Sequence, residues 1–201
     1  VDQVIAGLVL LALVPVVWWL MLRSWRRRAA EQSAGTAGTP ALPAPAPLPA
    51  GAGEAWVGGT SGAPTGASGR TVTGTYVSTV LSGRPLERVI AHGLGSRSLV
   101  ELEAVAAGRP ALLLRRPGAA SFSIPAADLV RVTRARGQAG KVMFGKEDLV
   151  VVTWRLGGAG GAEVDSAVRT KPQQDAPRLV ALVEGLLAPR GTGSTHGKDA
   201  A

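Results

Sequence analysis

Arginines at positions 23, 26, 27 and 28, with Trp25 between them and Trp18 and Trp19 just before, form the densest set of chemically active side chains in this 201-residue chain. Their chemistry is interfacial. Indole rings favour the headgroup layer of a bilayer, and guanidinium groups hold the cytoplasmic side of a membrane boundary. Arg84 and Arg88 form a second basic pair between the first two predicted strands, placed to touch an anionic surface, although the same spacing suits a solvated loop. Arg115, Arg116, Arg131, Arg134 and Arg136 extend the candidate positive face, each basic residue adding about 1 kcal/mol near anionic lipid.

The motifs that suggest catalysis are weaker. Gly137 to Lys141, GQAGK, lacks the spacing of a phosphate loop, has no Ser or Thr after its lysine and sits in no βαβ unit, so it reads as a turn. Gly93 to Gly95, GLG, fails the dinucleotide fingerprint for the same reason and is expected to be a hairpin connection. His92 pairs on paper with Asp128 or Ser96, but no serine sits in a nucleophile elbow, and a structural hydrogen bond is expected of this histidine. His196 lies in the polar tail, too remote to join it as a metal ligand. Glu101 and Glu103 share one side of an alternating strand, normally a solvated face. No catalytic, cofactor-binding or metal-ligating residue is assigned, no cofactor is expected, and the protein is not expected to be an enzyme.

The elements that position the basic groups begin with a continuous apolar run, Val4 to Leu22. At about 1.5 Å per helical residue it spans roughly 28 Å, close to a bilayer's hydrocarbon thickness. Pro15 is tolerated in such a helix. A cleaved signal peptide would carry its basic residues before the run and a small-residue site after it, the reverse of the order here. Residues 1–28 are therefore expected to be a transmembrane anchor with a basic flank. The positive-inside rule places the N-terminus outside the plasma membrane and the remaining chain in the cytoplasm. Residues 29–69 are rich in Ala, Gly, Pro, Ser and Thr and are expected to be a disordered linker, stiffened by PALPAPAPLP at Pro40 to Pro49. Residues 190–201 form a polar tail, also expected to be disordered.

The chain carries 22 basic against 14 acidic side chains, a net charge of +8 that invites comparison with nucleic-acid binders. Four of the arginines belong to the membrane flank, and the rest are scattered. Tyr76, Phe122, Phe144 and Trp154 are the aromatics beyond the linker, a poor supply for base stacking, so nucleic acid is not an expected partner. The absence of cysteine excludes disulfides and thiolate metal sites within this sequence.

Residues 70–189 carry the signature of a mainly β domain. Val150, Val152, Trp154 and Leu156 alternate with polar or outward positions; Val100, Leu102 and Ala104 oppose Glu101 and Glu103; Phe122 and Ile124 oppose Ser121 and Ser123; Val164 and Val168 oppose Glu163, Asp165 and Arg169. Further strands are expected near Thr71 to Val80, Leu86 to His92, Ala111 to Arg116 and Leu129 to Ala135, seven or so in all. One helix closes the domain: Asp175 is placed to cap it, Pro177 suits its first turn, and Leu179, Leu182, Val183, Leu186 and Leu187 form one face. A seven-stranded barrel plugged by this helix has the outline of a pleckstrin-homology-like (PH-like) domain.

TGTYVSTV at Thr73 to Val80, AHGLGSRS at Ala91 to Ser98, SFSIPAADL at Ser121 to Leu129, AGKV at Ala139 to Val142 and LVVVTWRLG at Leu149 to Gly157 resemble the actinobacterial membrane-anchored PH-like domain proteins. The chain departs from that pattern at Val164 to Arg169, where a bulkier residue is expected near Val168. Members are often labelled transporter or export protein and tend to lie among pyrimidine-biosynthesis genes. The resemblance implies a single-pass protein presenting a cytoplasmic PH-like domain as a binding or scaffolding module for a protein partner. An anionic-lipid or metabolite sensor, or an accessory subunit of a transport assembly, are the alternatives.

Overall fold

The computed structural model describes residues 2–35, 41–50, 71–135, 137–138, 141–142 and 149–188, with side chains from residue 13 onward except at 137–138 and 141–142. The remainder of the expected linker (36–40 and 51–69), the tail 190–201, Arg136, Phe144 and the centre of the GQAGK turn lie outside the described residues. The strands are β1 (Thr71–Leu81), β2 (Arg84–Val89), β3 (Ser98–Val105), β4 (Ala111–Arg115), β5 (Phe122–Pro125), β6 (Leu129–Ala135), β7 (Gly137–Gln138), β8 (Lys141–Val142), β9 (Leu149–Leu156) and β10 (Ala162–Thr170). They stand between helices α1 (Asp2–Ala34) and α2 (Ala176–Leu187). The main sheet is antiparallel, in the order β5-β4-β3-β1-β10-β9-β6, with β2 also on β1. The short β7 and β8 pair separately across the GQAGK turn, Gly137 opposite Val142.

The closed barrel expected from the strand pattern is instead an open sheet, because the order ends at β5 and β6 without the two pairing. Those end strands are nevertheless consecutive in the chain, separated by a single 3-10 turn at Ala126–Asp128. Three residues reach only about 10 Å. The sheet must therefore curl until its two ends meet at one corner, leaving the outer side of β5 unpaired with any other strand of the sheet.

The middle of the sheet carries a second departure. The expected strand from Leu86 to His92 ends at Val89, and a 3-10 turn follows at Ala91–Gly93. Both β2 and β3 run along the same side of β1, Val89 opposite Thr79 and Ser98 opposite Tyr76. Gly93 to Gly95 is thus not a hairpin connection: residues 90–97 are an excursion from one long hairpin, opposite the point where β1 shifts register between Tyr76 and Ser78. The excursion folds inward, with Ala91 and Leu94 fully buried.

Helix α2 covers the sheet chiefly over β6 and β9. Its sequence periodicity is expressed with a rotation. Ala176, Leu179 and Val183 are fully buried, whereas Leu182, Leu186 and Leu187 pack at the margins of the core. Pro177 lies in the first turn, but Asp175 makes no side-chain cap because a 3-10 turn, Gln173–Asp175, leads into the helix and already turns the backbone. Leu179→Ala should cost about 2 to 5 kcal/mol in chemical denaturation, the usual range for emptying a closed apolar site. Leu182→Ala should cost measurably less. Equal losses would mean that the helix faces the sheet at the sequence-expected angle.

Candidate functional site

Part of the segment read as a disordered linker is bound to the domain. Leu42 is buried in the main core at 3% exposure. Its N–H donates to the Gln32 carbonyl at the end of α1 (2.9 Å), and its own carbonyl accepts from His92 Nε2 (2.8 Å). A carbonyl only accepts, so His92 must carry its proton on Nε2. Four residues on, the Ala46 carbonyl accepts the outward N–H of Ser123 on β5 (2.8 Å), forming an isolated antiparallel bridge, and Ser123 Oγ donates to the Pro47 carbonyl (2.8 Å). Residues 41–50 are thus a strap on the free side of β5. The linker expectation is corrected there for a physical reason: composition alone offers no core, but an unpaired strand edge and an open apolar hole can accept one leucine and two carbonyls.

Pro43 crosses the end of β9. A Cβ on Gly157 would lie 2.4 Å from Pro43 Cγ, and Gly157 also adopts φ +94°, a conformation that side chains resist. The polar groups of the sheet and its loop that reach the strap, from His92 and from Ser123, donate to backbone carbonyls, while the Gln32 carbonyl of α1 accepts the Leu42 N–H. Pro43, Pro45, Pro47 and Pro49 have no N–H, so they give the strap's far side few donors with which to recruit another strand.

The groove wall depends on the excursion 90–97, and that loop is held by buried polar groups. Arg116, only 2% exposed, donates to Ser98 Oγ (2.9 Å), Ala120 O (3.3 Å), Gly93 O (3.1 Å) and Ser96 O (2.7 Å). Its guanidinium lies 4.1 Å from the centre of the Tyr76 ring, an arrangement that stabilises a desolvated cation. Beneath it a hydrogen-bond chain has one consistent direction. Trp154 Nε1 can only donate, and does so to Ser166 Oγ (2.9 Å); the Leu94 carbonyl can only accept, and takes the Tyr76 proton (3.0 Å). With the phenol proton so committed, Thr79 donates to Tyr76 Oη, and Ser166 to Thr79 Oγ1 (2.7 Å). Phe122 completes the layer, stacked on Trp154 with centroids 5.9 Å apart.

The basic residues singled out from sequence divide. Arg84 is exposed and forked onto the Glu87 carboxylate at 3.2 and 3.3 Å. Arg88 lines a cleft of about 290 Å³ together with Arg28, Glu31, Gln32, Leu42 and Glu87, so one cation of the expected surface and one of the membrane flank share it with two carboxylates. Arg115 is nearly buried and pairs with Glu103 at 2.7 Å and Glu101 at 3.9 Å. It and Arg116 are therefore removed from the expected positive face, and the two glutamates are half-buried partners instead of solvated charges. The reason is that β4 is covered on both faces. Trp18, Trp19 and Trp25 are exposed on α1, with Arg23 over the Trp19 ring at 5.5 Å and Arg27 paired to Glu31 at 3.0 Å. Arg26 lies on the same helix. Gln32, which sequence reasoning passed over, joins α1 to the domain: its Oε1 accepts from the N–H groups of Ile90 (2.6 Å) and Ala91 (3.0 Å), and its Nε2 donates to Arg88 O (2.8 Å). Nothing in the local sequence marks it. Among the described residues no cluster of His, Asp or Glu could hold a metal ion.

A curled antiparallel sheet covered by a C-terminal helix, with an extended segment lying on an edge strand, defines a small binding module of the PH-like class. The chain belongs to the bacterial PH domain-like family, whose model matches residues 57–184. No curated protein matches the chain. PH-like domains are typically non-catalytic binding modules, and the strap at 41–50 lies outside the matched span.

Burial pushes the Tyr76 phenol above its ordinary value of 10.0, against smaller opposing effects of the Thr79 bond and the Arg116 charge. The raised value means that the folded state holds the neutral phenol while the unfolded chain ionises. This contribution to stability is complete below pH 10 and is lost as pH rises through the folded value. Tyr76 is the only tyrosine, so phenolate absorbance reports it alone. Folded protein should show no phenolate at pH 10, and phenolate should emerge together with loss of structure. In Tyr76→Phe, this part of the alkaline destabilisation should vanish, although the variant is less stable at neutral pH. Ionisation near pH 10 without unfolding would show that the ring is open to water.

Proposed function

We propose that this protein is a membrane-tethered scaffold whose cytoplasmic PH-like domain binds a protein partner as an extended peptide along the outer edge of β5. The observation that carries the reading is the Ser123 N–H on the Ala46 carbonyl: an edge strand that already accepts an extended segment by backbone pairing. This is the physics of strand addition, in which main-chain bonds provide affinity and side-chain pockets, here the Leu42 site and bare Gly157, provide selectivity. The lipid-sensor alternative draws less support, since Arg115 and Arg116 are internal, Arg84 is engaged by Glu87, and Arg88 shares its cleft with carboxylates.

The tether rests on the apolar run. From Leu13 to Leu22 the large apolar side chains of α1 are exposed, covered by no part of the domain. Among the residues searched, no helix is long and apolar enough to cross a membrane; the part of the Val4 to Leu22 run up to residue 12 lies outside the described side chains. The full run in the sequence has spanning length, and Trp18, Trp19 and Trp25 with Arg23, Arg26, Arg27 and Arg28 suit its cytoplasmic boundary. The Gln32 clamp adds that the domain is seated against the end of this helix and does not roam on a long leash.

Two measurements test the reading. A cysteine introduced at Ser194 should resist a membrane-impermeant thiol reagent in intact cells and react after lysis; labelling of intact cells would reverse the topology. A photoreactive residue at exposed Ser121, beside the groove, should give protein adducts in native membranes, whereas one at Arg131 on β6 should not. Lipid adducts at 121, or none, would remove the peptide groove from the proposal.

A further inference from the structure

Resting on the peptide-groove reading above, we propose that residues 41–50 are a displaceable occupant built into the chain. The partner they hold off is then an extended peptide of the same chemistry, a leucine followed by proline and then by alternating small residues and prolines.

The groove and its occupant have different standing in the molecule. Ser123, His92, Gly157 and the hole that takes Leu42 belong to the span matched by the family model, whereas the strap precedes it. The strap is lightly held: Leu42 is its only fully buried side chain, and most of the others, Pro43 and Pro47 included, are exposed. The chain joins it to α1 on one side and to β1 on the other, so it competes for the groove as an intramolecular segment and yields only to a peptide that binds well.

The contacts specify what can replace it. His92 Nε2 and the Ser123 N–H and Oγ all donate, and all read backbone carbonyls. No charged side chain faces the strap's carbonyls through these bonds, so a phosphate or an acidic side chain is not what they select. Gly157 leaves room for a ring directly after the leucine. A proline-rich peptide is already extended before binding and has few N–H groups to leave unpaired, so it loses little on docking. Because the Leu42 N–H is bonded to the Gln32 carbonyl, exchange also breaks one of the links between the domain and α1.

The test uses the full chain in detergent micelles and a fluorescein-labelled peptide of residues 41–50, ALPAPAPLPA, read by anisotropy. Leu42→Asp places a charge where the core demands an apolar group and should eject the strap. This variant should bind the peptide at least tenfold more tightly than the wild type, with a rise in Tm on peptide addition, and a peptide with Asp in the leucine position should not bind. The sequence has no native cysteine, so an Ala46→Cys/Ser123→Cys pair provides a reversible lock across the bridge. The oxidised form should bind no peptide; reduction should reopen the groove to peptide at high concentration, more weakly than in the wild type because the Ser123 hydroxyl is gone while the N–H of residue 123 remains. That pair keeps the test decisive if Leu42→Asp does not fold. Equal binding to wild type, locked and Leu42→Asp chains would overturn the proposal by placing the peptide elsewhere. Absence of binding to both folded Leu42→Asp and the reduced pair would overturn it by showing that the strap is a permanent part of the fold. The photocrosslink at 121 is independent of either result, so its loss alone marks failure of the groove reading itself.

Discussion

The burial of the Arg116 guanidinium is the constraint on which the rest of this structure hangs. A cation taken from water is costly unless its donors are satisfied, and among the described residues no carboxylate satisfies them. Instead the carbonyls of Gly93, Ser96 and Ala120, the Ser98 hydroxyl and the face of Tyr76 surround it. Meeting that demand obliges residues 90–97 to leave the β1–β2 ladder and fold over the end of the sheet, carrying Leu94 into the core. Burial acts against the charge itself, holding the guanidinium below its ordinary proton affinity, with the neighbouring phenol partly offsetting the effect.

From that loop the arrangement propagates outward. His92, held at φ 54° within the 3-10 turn, reaches the Leu42 carbonyl, while the N–H groups of Ile90 and Ala91 grip Gln32. One excursion therefore fastens both the strap and the helix. Its inner side is tied by the one-way chain from Trp154 through Ser166, Thr79 and Tyr76 to Leu94. Such a chain is stabilising only when complete, because removing any member strands a buried donor or acceptor.

The open sheet explains why an edge is available at all. Closure would have paired β5 with a neighbour and consumed the Ser123 N–H. The short turn between β5 and β6 instead pins the two sheet ends at one corner and leaves the remainder of β5 exposed for an extended segment. A proline-rich segment is well suited to such an edge, since it pairs on one side and discourages further strand addition on the other. In the proposed scaffold, the same geometry that protects the edge also reserves it for a partner.

Strand positions, the closing helix and the apolar run beside its Trp and Arg flank were all legible in the sequence, because each is a local periodicity or a boundary of composition. Val150 to Leu156 alternates wherever it is placed, and the α2 leucines share a face in any context. The fates of Arg115 and Arg116 could not be read that way. Adjacent residues on a strand point to opposite faces, and whether either face meets water depends on elements far away in the chain, here covering both sides of β4. Leu42 was equally silent, a lone leucine in an Ala and Pro run too poor in apolar surface to fold by itself. Its site exists only after β5, β9 and the 90–97 loop have assembled. The sequence by itself determined which segments could be strands or helix, because those choices follow from neighbours two to four residues apart. Tertiary structure alone decided which charge is buried, where the sheet stays open and what lies in the opening, because those depend on contacts distant in the chain, 18 to 23 positions for Arg116 with Ser98, Ser96 and Gly93 and 50 or more for the strap with His92 and Ser123.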